Sequence, residues 1–340
     1  MLSQIRSYMA SWWHHTPLPP PSTAAPPHFQ KWHEFEQQRW MPVVSGKTTS
    51  RPGTTTTTKH QWTGSFRLVS WNTNASTSFP ESRICALLQA VKTMGNADVV
   101  FLQEVCREAL AALLEETWIQ QQWYTSDVDG TAFRTQKFIS VTLVSRRWVA
   151  TAGILLGAIW RVALPSRFAR DALCCDVVFN SASENVCPGR ELRIRLVNVH
   201  LDSLPINPSL RPRQLSFAAS YLRAAGRGVI AGDFNPVLAE DEDLVRANGL
   251  VDAWVQCHPR EPGYTWGVDG EQSFPPNRLD KVALLNLSPS AMGILPTREV
   301  GVYAGETAVG GTESASKEHF SDHFGLWCDV AWAEDGAQQE

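Results

Sequence analysis

The chain has 340 residues, 43% of them apolar and 19% charged, with a formal net charge of -4. That composition excludes wholesale disorder, and the length suits one large α/β or β-sandwich domain with a tail. The negative net charge also excludes a uniformly basic nucleic-acid coat.

Residues 1–62 hold PLPPP, APP and a Thr run at 54–58 with few aliphatics. This is the composition of a disordered extension. Six Lys/Arg and two Glu give it a net of +4, which leaves the other 278 residues at -8. Acids of the folded part are therefore candidates for holding metal. Arg6 followed by an apolar stretch from Tyr8 to Trp13 is a poor secretory signal, and the first acid, Glu34, comes late enough to leave an organellar transit reading open. Within the extension Phe29, Trp32, Phe35 and Trp40 recur at near-helical spacing. They predict a short helix over residues 28–40 docked on the domain, with a partner-binding peptide as the alternative.

The texture changes at Phe66, and a catalytic domain is expected over 63–332, followed by an acidic tail at 333–340. Strands are predicted at 66–71, 97–103, 137–144, 172–179, 192–200, 228–232, 279–285 and 324–332. Helices are predicted at 82–94, 107–118 and 212–225. Early strand–helix alternation followed by longer β-rich stretches suggests a mixed α/β domain of two packed sheets flanked by helices. The apolar run at 148–160 is thirteen residues long, short of the roughly 20 that cross a bilayer, and reads as a buried strand or helix. Seven Cys without a C-x-x-C pair or zinc-like spacing suit a reduced intracellular compartment, nucleus or cytoplasm. A monomer is the default expectation. The stretch 130–170 carries seven Lys/Arg and no acid, either as a solvated face or as a contact for phosphates.

Polar residues stand just past the ends of these apolar strands. Asn72 follows the first, Glu104 the second, and His200 with Asp202 and Ser203 the fifth. Gly232-Asp233-Phe234-Asn235 follows the sixth, Asp280 opens the seventh, and Ser321-Asp322-His323 precedes the eighth. Strand ends converge at sheet edges, so such residues can build one site on a rigid scaffold.

The set suits hydrolysis of a phosphodiester. Glu104 and Asn72 are hard oxygen ligands for Mg²⁺, with Mn²⁺ as a substitute, to neutralise the phosphoryl and leaving oxygens. Asp233 is the candidate for deprotonating water. His200, Asn235 and His323 can donate to the growing charge, and Asp280 can hold the ring of His323. No nucleophile elbow, P-loop, G-x-G-x-x-G or H-E-x-x-H is present.

The motifs SWNTN (70–74), FLQEV (101–105), NVHLDS (198–203), AGDFN (231–235), RLDKV (278–282) and SDHFGL (321–326) resemble, in this order, the endonuclease/exonuclease/phosphatase superfamily, which includes DNase I. They span all but the tails. The resemblance implies a four-layer α/β sandwich. His-Leu-acid-Ser at 200–203 and Tyr-Thr-Trp at 264–266 are most similar to the branch of 5′-tyrosyl-DNA phosphodiesterases. Two positions depart from that branch: Phe234 stands for the Thr of GDTN and Gly267 for the Asp of TWD.

By resemblance, Glu104 binds Mg²⁺ with Asn72 beside it and Asp322 reaching the same ion. Asp233 activates water, Asn235 adjoins the scissile phosphate, and His200 and Ser203 hold phosphate oxygens. His323 paired with Asp280 stabilises the transition state or protonates the leaving group. Arg278 and Trp266 are expected to bind substrate, with a carboxylate partner and a core position as their respective alternatives. The implied partner is nucleic acid, a single-stranded DNA end or a protein–DNA adduct. An RNA exonuclease, a sphingomyelin-type lipid phosphodiesterase and an inositol-phosphate phosphatase share the chemistry. A non-enzymatic binding module on the same fold would be signalled by loss of Glu104 or Asp233, and both are present.

Overall fold

Residues 26–43, 64–134, 136–179, 192–270, 272, 274–302 and 316–332 are described in a computed structural model of the chain. Residues 1–25, 44–63 and the expected tail at 333–340 lie outside them.

The chain begins with strands β1 (His28–Gln30), β2 (His33–Glu36) and β3 (Arg39–Pro42). A strand–helix–strand unit follows: β4 (Ser65–Asn72), α1 (Pro80–Met94) and β5 (Val99–Cys106). Next come α2 (Arg107–Glu115), α3 (Thr117–Gln122), β6 (Trp123–Thr125), β7 (Phe138–Ser145) and α4 (Arg146–Thr151). The second half opens with β8 (Ile154–Ala163), β9 (Asp171–Phe179), β10 (Leu192–His200), α5 (Arg211–Ala225) and β11 (Gly228–Asp233). It continues with α6 (Leu244–Ala247), β12 (Val251–Asp252), α7 (Ala253–Cys257) and β13 (Asp280–Leu285). The last strands are β14 (Ser288–Leu295), β15 (Glu299–Val302), β16 (Ser316–His319) and β17 (Gly325–Ala331).

One sheet has the order β1-β8-β9-β10-β11-β13-β12, the other β14-β17-β4-β5-β7-β6-β2-β3, and β15 pairs with β16 alone. Three apolar clusters account for the layering. The first, with Phe101, Leu196, Val229 and Val282, draws on both sheets and fills the space between them. The second packs α1 and α2 on the outer face of the second sheet through Val69, Leu87, Leu102 and Leu110. The third packs α5 on the outer face of the first sheet through Val197, Leu215, Leu222 and Ile230. Strands covered on both faces lose the polar alternation of half-exposed ones, which is why 97–103 and 228–232 are apolar runs. Each fully buried Leu or Phe contributes about 1.5–3 kcal/mol. This is the predicted arrangement of two mixed sheets between helices.

Differences fall at the periphery. Residues 28–40 do dock, but as strands rather than as the expected helix: β1 pairs antiparallel with β8, and β2 with β6 and β3. The hairpin turn is made by Gln37 and Gln38, with φ of 51° and 62°. That is a conformation usually advertised by Asn-Gly, so the sequence carries no turn signal there. Two open sheet edges supply unpaired donors and acceptors that extended backbone can use and a helix cannot. Trp32, between the strands, is buried and donates its indole N–H to Gly157 O at 3.2 Å. The predicted helix over 107–118 breaks at Glu116, and the run at 148–160 splits between α4 and β8. No helix among the described residues is long and apolar enough to cross a membrane. The six described cysteines are all free.

Candidate active site

Strand register assembles the first row of groups. In β10 and β11, which run parallel, His200 stands opposite Asp233; in antiparallel β11 and β13, Asp233 stands opposite Asp280. His200, Asp233 and Asp280 thus lie side by side across three adjacent strands. Gly232 lets them approach: its φ is 139°, and a Cβ there would sit 1.9 Å from Val199 O.

The facing sheet contributes Asn72 at the end of β4 and Glu104 in β5. The β5–β7 register shifts between Leu102 and Val105, and Glu104 at that bulge has φ 57°. A bulge turns one side chain out of the strand's alternation, here toward Asn72. Glu104 is held by the Ala75 amide, which donates to its Oε2 at 2.9 Å, and by Thr73 Oγ1, which donates to its carbonyl at 2.9 Å. Arg83, buried on α1, fixes the same loop by donating to the carbonyls of Thr73 and Asn74.

The two sheets meet at these groups. Asn72 Nδ2 donates to Asp233 Oδ2 at 3.1 Å and lies 3.4 Å from Glu104 Oε1. His200 Nε2 is 3.6 Å from Glu104 Oε1 and 3.5 Å from Asp233 Oδ2, too long for hydrogen bonds. Both its ring nitrogens are buried without a partner among the described residues. Burial, helped by the Arg170 and His323 charges, pushes His200 well below the usual histidine range. The close carboxylates are therefore not salt bridges to an imidazolium. The ring instead stacks on Phe138, with centroids 5.7 Å apart.

Asp233 accepts from the Asn235 amide at 2.9 Å, and Asn235 Nδ2 reaches Leu201 O at 3.4 Å. Burial raises the Asp233 carboxyl to about 7, with Asp280 and Glu104 adding to the rise and His323 opposing it. His323 Nδ1 bonds Asp280 Oδ2 at 2.8 Å. Burial works against its charge, but the Asp280 carboxylate, with Asp233 and Asp322 adding to it, outweighs burial and lifts His323 to about 10. Its backbone is anchored as well: the Trp71 indole donates to His323 O at 2.9 Å, and Ser321 Oγ accepts from the His323 amide while donating to Asn72 O. Gly325 makes room for Trp71, since a Cβ there would lie 2.4 Å from the indole.

Of the eleven candidate residues, Asn72, Glu104, His200, Asp233, Asn235, Asp280 and His323 are brought together in this cluster. Ser203 sits beside it, its Oγ accepting from Arg170 Nη2 at 2.8 Å. Trp266 bridges backbone to His323 and Asn277, and its indole donates to Asp322 Oδ2 at 3.2 Å. Asp322 is thus turned to Trp266. Arg278 is not brought in: it makes two bonds to Asp252, at 2.8 and 2.9 Å, which is the carboxylate-pair alternative. Gly267, at the position of the branch's Asp, has φ 70°, a conformation that disfavours other side chains.

Four further residues belong to the neighbourhood. Gln103 Nε2 donates to Asn198 Oδ1 at 2.8 Å, and Asn198 Nδ2 donates back to Leu102 O and Val141 O, tying the sheets together beneath the site. A polar residue inside an otherwise apolar strand was the available signal for both. Arg170 was signalled only as one of the seven Lys/Arg in the acid-free stretch 130–170, and Phe138 gave no signal. The Arg170 guanidinium lies over Phe138 and Phe168, within electrostatic reach of Glu104 and Asp233. Three more cations of the acid-free stretch are taken up by acids elsewhere. Arg161 is buried against Asp127 and Asp171, Arg146 pairs with Glu34, and Arg147 pairs with Asp98.

Among the described residues no three His, Cys, Asp or Glu side chains are arranged to wrap a metal ion. The donor set fits Mg²⁺, which keeps several waters and takes only one or two carboxylates. Glu104 and Asp233 converge on one point beside a neutral, unpartnered imidazole. By contrast, the large groove between α1 and α2 is lined by Glu81, Glu108, Glu115 and Glu116, the wrong sign for a phosphodiester.

The fold matches several solved structures. One is D. rerio TDP2 humanised by 14 mutations (TM-score 0.58, 18% identity, covering 78% of this chain and 99% of that one). Another is TDP2 from C. elegans (TM-score 0.57, 19% identity, 78% and 75%). An endonuclease/exonuclease/phosphatase family protein from Bacteroides thetaiotaomicron matches as well (TM-score 0.58, 14% identity, 79% and 98%). At these identities the likeness shows the fold alone. No curated protein sequence matches the chain. The sequence profile described as the Endonuclease/Exonuclease/phosphatase family matches residues 69–323, from within β4 to His323, and the chain belongs to that family.

Proposed function

We propose that the chain is a Mg²⁺-dependent phosphodiesterase that hydrolyses a 5′-phosphotyrosyl link at a single-stranded DNA end. The observation that carries the chemistry is His200: a buried neutral imidazole, without a hydrogen-bond partner, facing two converging carboxylates. Buried polar groups are nearly always satisfied, and an exception marks a place for a ligand.

Glu104, with Asn72 beside it, would hold the ion. When bound, it supplies charge neutralisation at the phosphoryl and leaving oxygens. Asp233, oriented by Asn72 and the Asn235 amide, takes the proton of the attacking water. His200, Asn235 and Arg170 with Ser203 meet the non-bridging oxygens. The imidazolium of His323, held by Asp280, donates toward the leaving oxygen.

The substrate assignment draws on the rim. Tyr264, Val268 and Phe274, all exposed, stand on the loop that carries Trp266, and exposed Leu204 follows Ser203. Bases and a tyrosyl ring stack on aromatic side chains such as Tyr264 and Phe274, and Leu204 and Val268 add apolar surface beside them. Exposed Arg134 and Lys137 precede Phe138, where they suit a backbone phosphate. The motifs at 200–203 and 264–266 favour the same substrate, and a D. rerio TDP2 of this fold was solved with a single-strand DNA product.

The test is hydrolysis of a 5′-phosphotyrosyl single-stranded oligonucleotide with Mg²⁺, with Asp233→Asn as the blank. Metal-dependent release of tyrosine, leaving a 5′-phosphate, is the expected result. Cleavage of a chromogenic diester without tyrosine release would keep the chemistry and move the substrate to RNA, lipid or inositol phosphate.

A further inference from the structure

Helix α5 buries two polar side chains, one turn apart, on a face otherwise made of Leu215, Ala218, Ala219 and Leu222. They are Arg211, 1% exposed, and Gln214, 0%. A buried cation and amide at such positions do less for stability than well-packed apolar residues would. Their bonds run to the loops at the strand ends.

Gln214 accepts from the Asp202 amide at 3.0 Å and donates to Asp202 Oδ1 at 2.7 Å and Pro165 O at 3.0 Å. Asp202 accepts in turn from Ser166 Oγ and the Arg167 amide. Ser166 Oγ accepts from the amides of Phe168 and Arg170, at 2.9 and 3.0 Å. This holds the turn on which Ala169 has φ 55°, the residue before Arg170. Arg211 donates to Asp202 O and Leu204 O, bracing the turn at Ser203, where Leu204 has φ 67°. Its Nε also donates to Asp241 Oδ2 at 2.8 Å, and that oxygen accepts from the amides of Val237 and Leu238, just past Asn235.

From this we infer that Gln214 and Arg211 are positioning residues for the reaction. Gln214 sets Arg170 through Asp202 and Ser166, and Arg211 locks the Ser203 and Asn235 loops to one another. Neither touches the reacting groups. Non-glycine residues in left-handed backbone cost free energy and persist only where the surroundings over-determine them, as these bonds do.

The proposal rests on the phosphodiesterase reading, and its test separates the two. Gln214→Leu and Ser166→Ala are made singly and on an Arg170→Ala background, with kcat and KM measured on bis(p-nitrophenyl) phosphate with Mg²⁺. Solvent exchange of the buried Arg170 Nε–H is followed by nitrogen-15 NMR, and melting is recorded. Ser166→Ala removes one half-buried hydroxyl and keeps the experiment informative if Gln214→Leu does not fold. Each variant is expected to raise KM more than it lowers kcat, with kcat/KM falling roughly 10- to 100-fold. On the Arg170→Ala background the further loss should be under about twofold, because residues acting through one group are not additive. The Arg170 signal should lose its protection. Losses that multiply with Arg170→Ala, or an Arg170 signal that keeps its protection, would overturn the proposal. Wild-type protein inert toward every diester would sink the phosphodiesterase reading, while the NMR result would still decide the positioning.

Discussion

Two groups of buried charges teach opposite lessons. Arg195 and Asp176, on neighbouring strands β10 and β9, form a two-pronged pair at 2.7 and 2.9 Å, with a third bond from Arg195 to Tyr221 O. The guanidinium also lies 4.7 Å from the Trp160 ring. Along the same strand β10, His200 is more deeply enclosed and yet bonds to nothing, while Glu104 and Asp233 stand 3.5–3.6 Å away. A charge whose bonds close within the fold is finished as structure. A cluster left open keeps its bonding capacity for something that arrives.

Perturbing the two groups should therefore affect different quantities. Asp233→Asn is expected to lower kcat by about 10³-fold or more with melting and circular dichroism unchanged. Near-normal turnover would mean the base lies elsewhere. Asp280→Asn removes the carboxylate that keeps His323 charged up to about 10. Its rate should fall by roughly 10²-fold or more, and the alkaline limb of its pH–rate profile should move toward neutral pH, because the charge is lost as pH rises through a lowered value. An unmoved limb would assign it to another group. Glu104→Gln should raise the Mg²⁺ concentration for half-maximal rate roughly 10- to 100-fold, read by metal titration. Arg195→Met should instead cost about 3 kcal/mol in urea unfolding, because buried Asp176 loses both its short bonds and keeps only Arg193, at 3.7 Å. Turnover per folded molecule should hold.

The smallest effect concerns Lys281, buried behind the site. Burial, helped by Arg278, lowers its ammonium to about 7 from an ordinary 10.5. Between these values the unfolded chain binds a proton that the folded one does not, so stability rises with pH across that window and the penalty is complete below 7. Lys281→Met should remove this slope and raise Tm at pH 6 by about a few degrees. An unchanged Tm–pH curve would show the ammonium to be hydrated.

Local chemistry decides how much was legible beforehand. The sheet cores and the polar residues past their ends stand out because a strand buried on both faces must be apolar, so a polar residue at its terminus is conspicuous. Arg278 was open between substrate and a carboxylate partner, and it closes on Asp252 of an edge strand two residues long. Residues 28–40 carried a helical spacing, but what decided them was the open edges of the two sheets, formed by residues far along the chain, and a Gln-Gln turn without the usual residues.

The sequence by itself determined the two packed sheets between helices, their central strands from Phe66 onward and the set of acids, amides and histidines at the strand ends, since these follow from burial periodicity and residue chemistry within short windows. Tertiary structure alone decided which of them meet. The row His200–Asp233–Asp280 exists through strand register, the approach of Glu104 to Asn72 through a bulge and the loop bonds around it, and the place of Arg170 through a loop braced from α5. Register, bulges and loop bracing depend on partners far away in the chain, and no local window contains them.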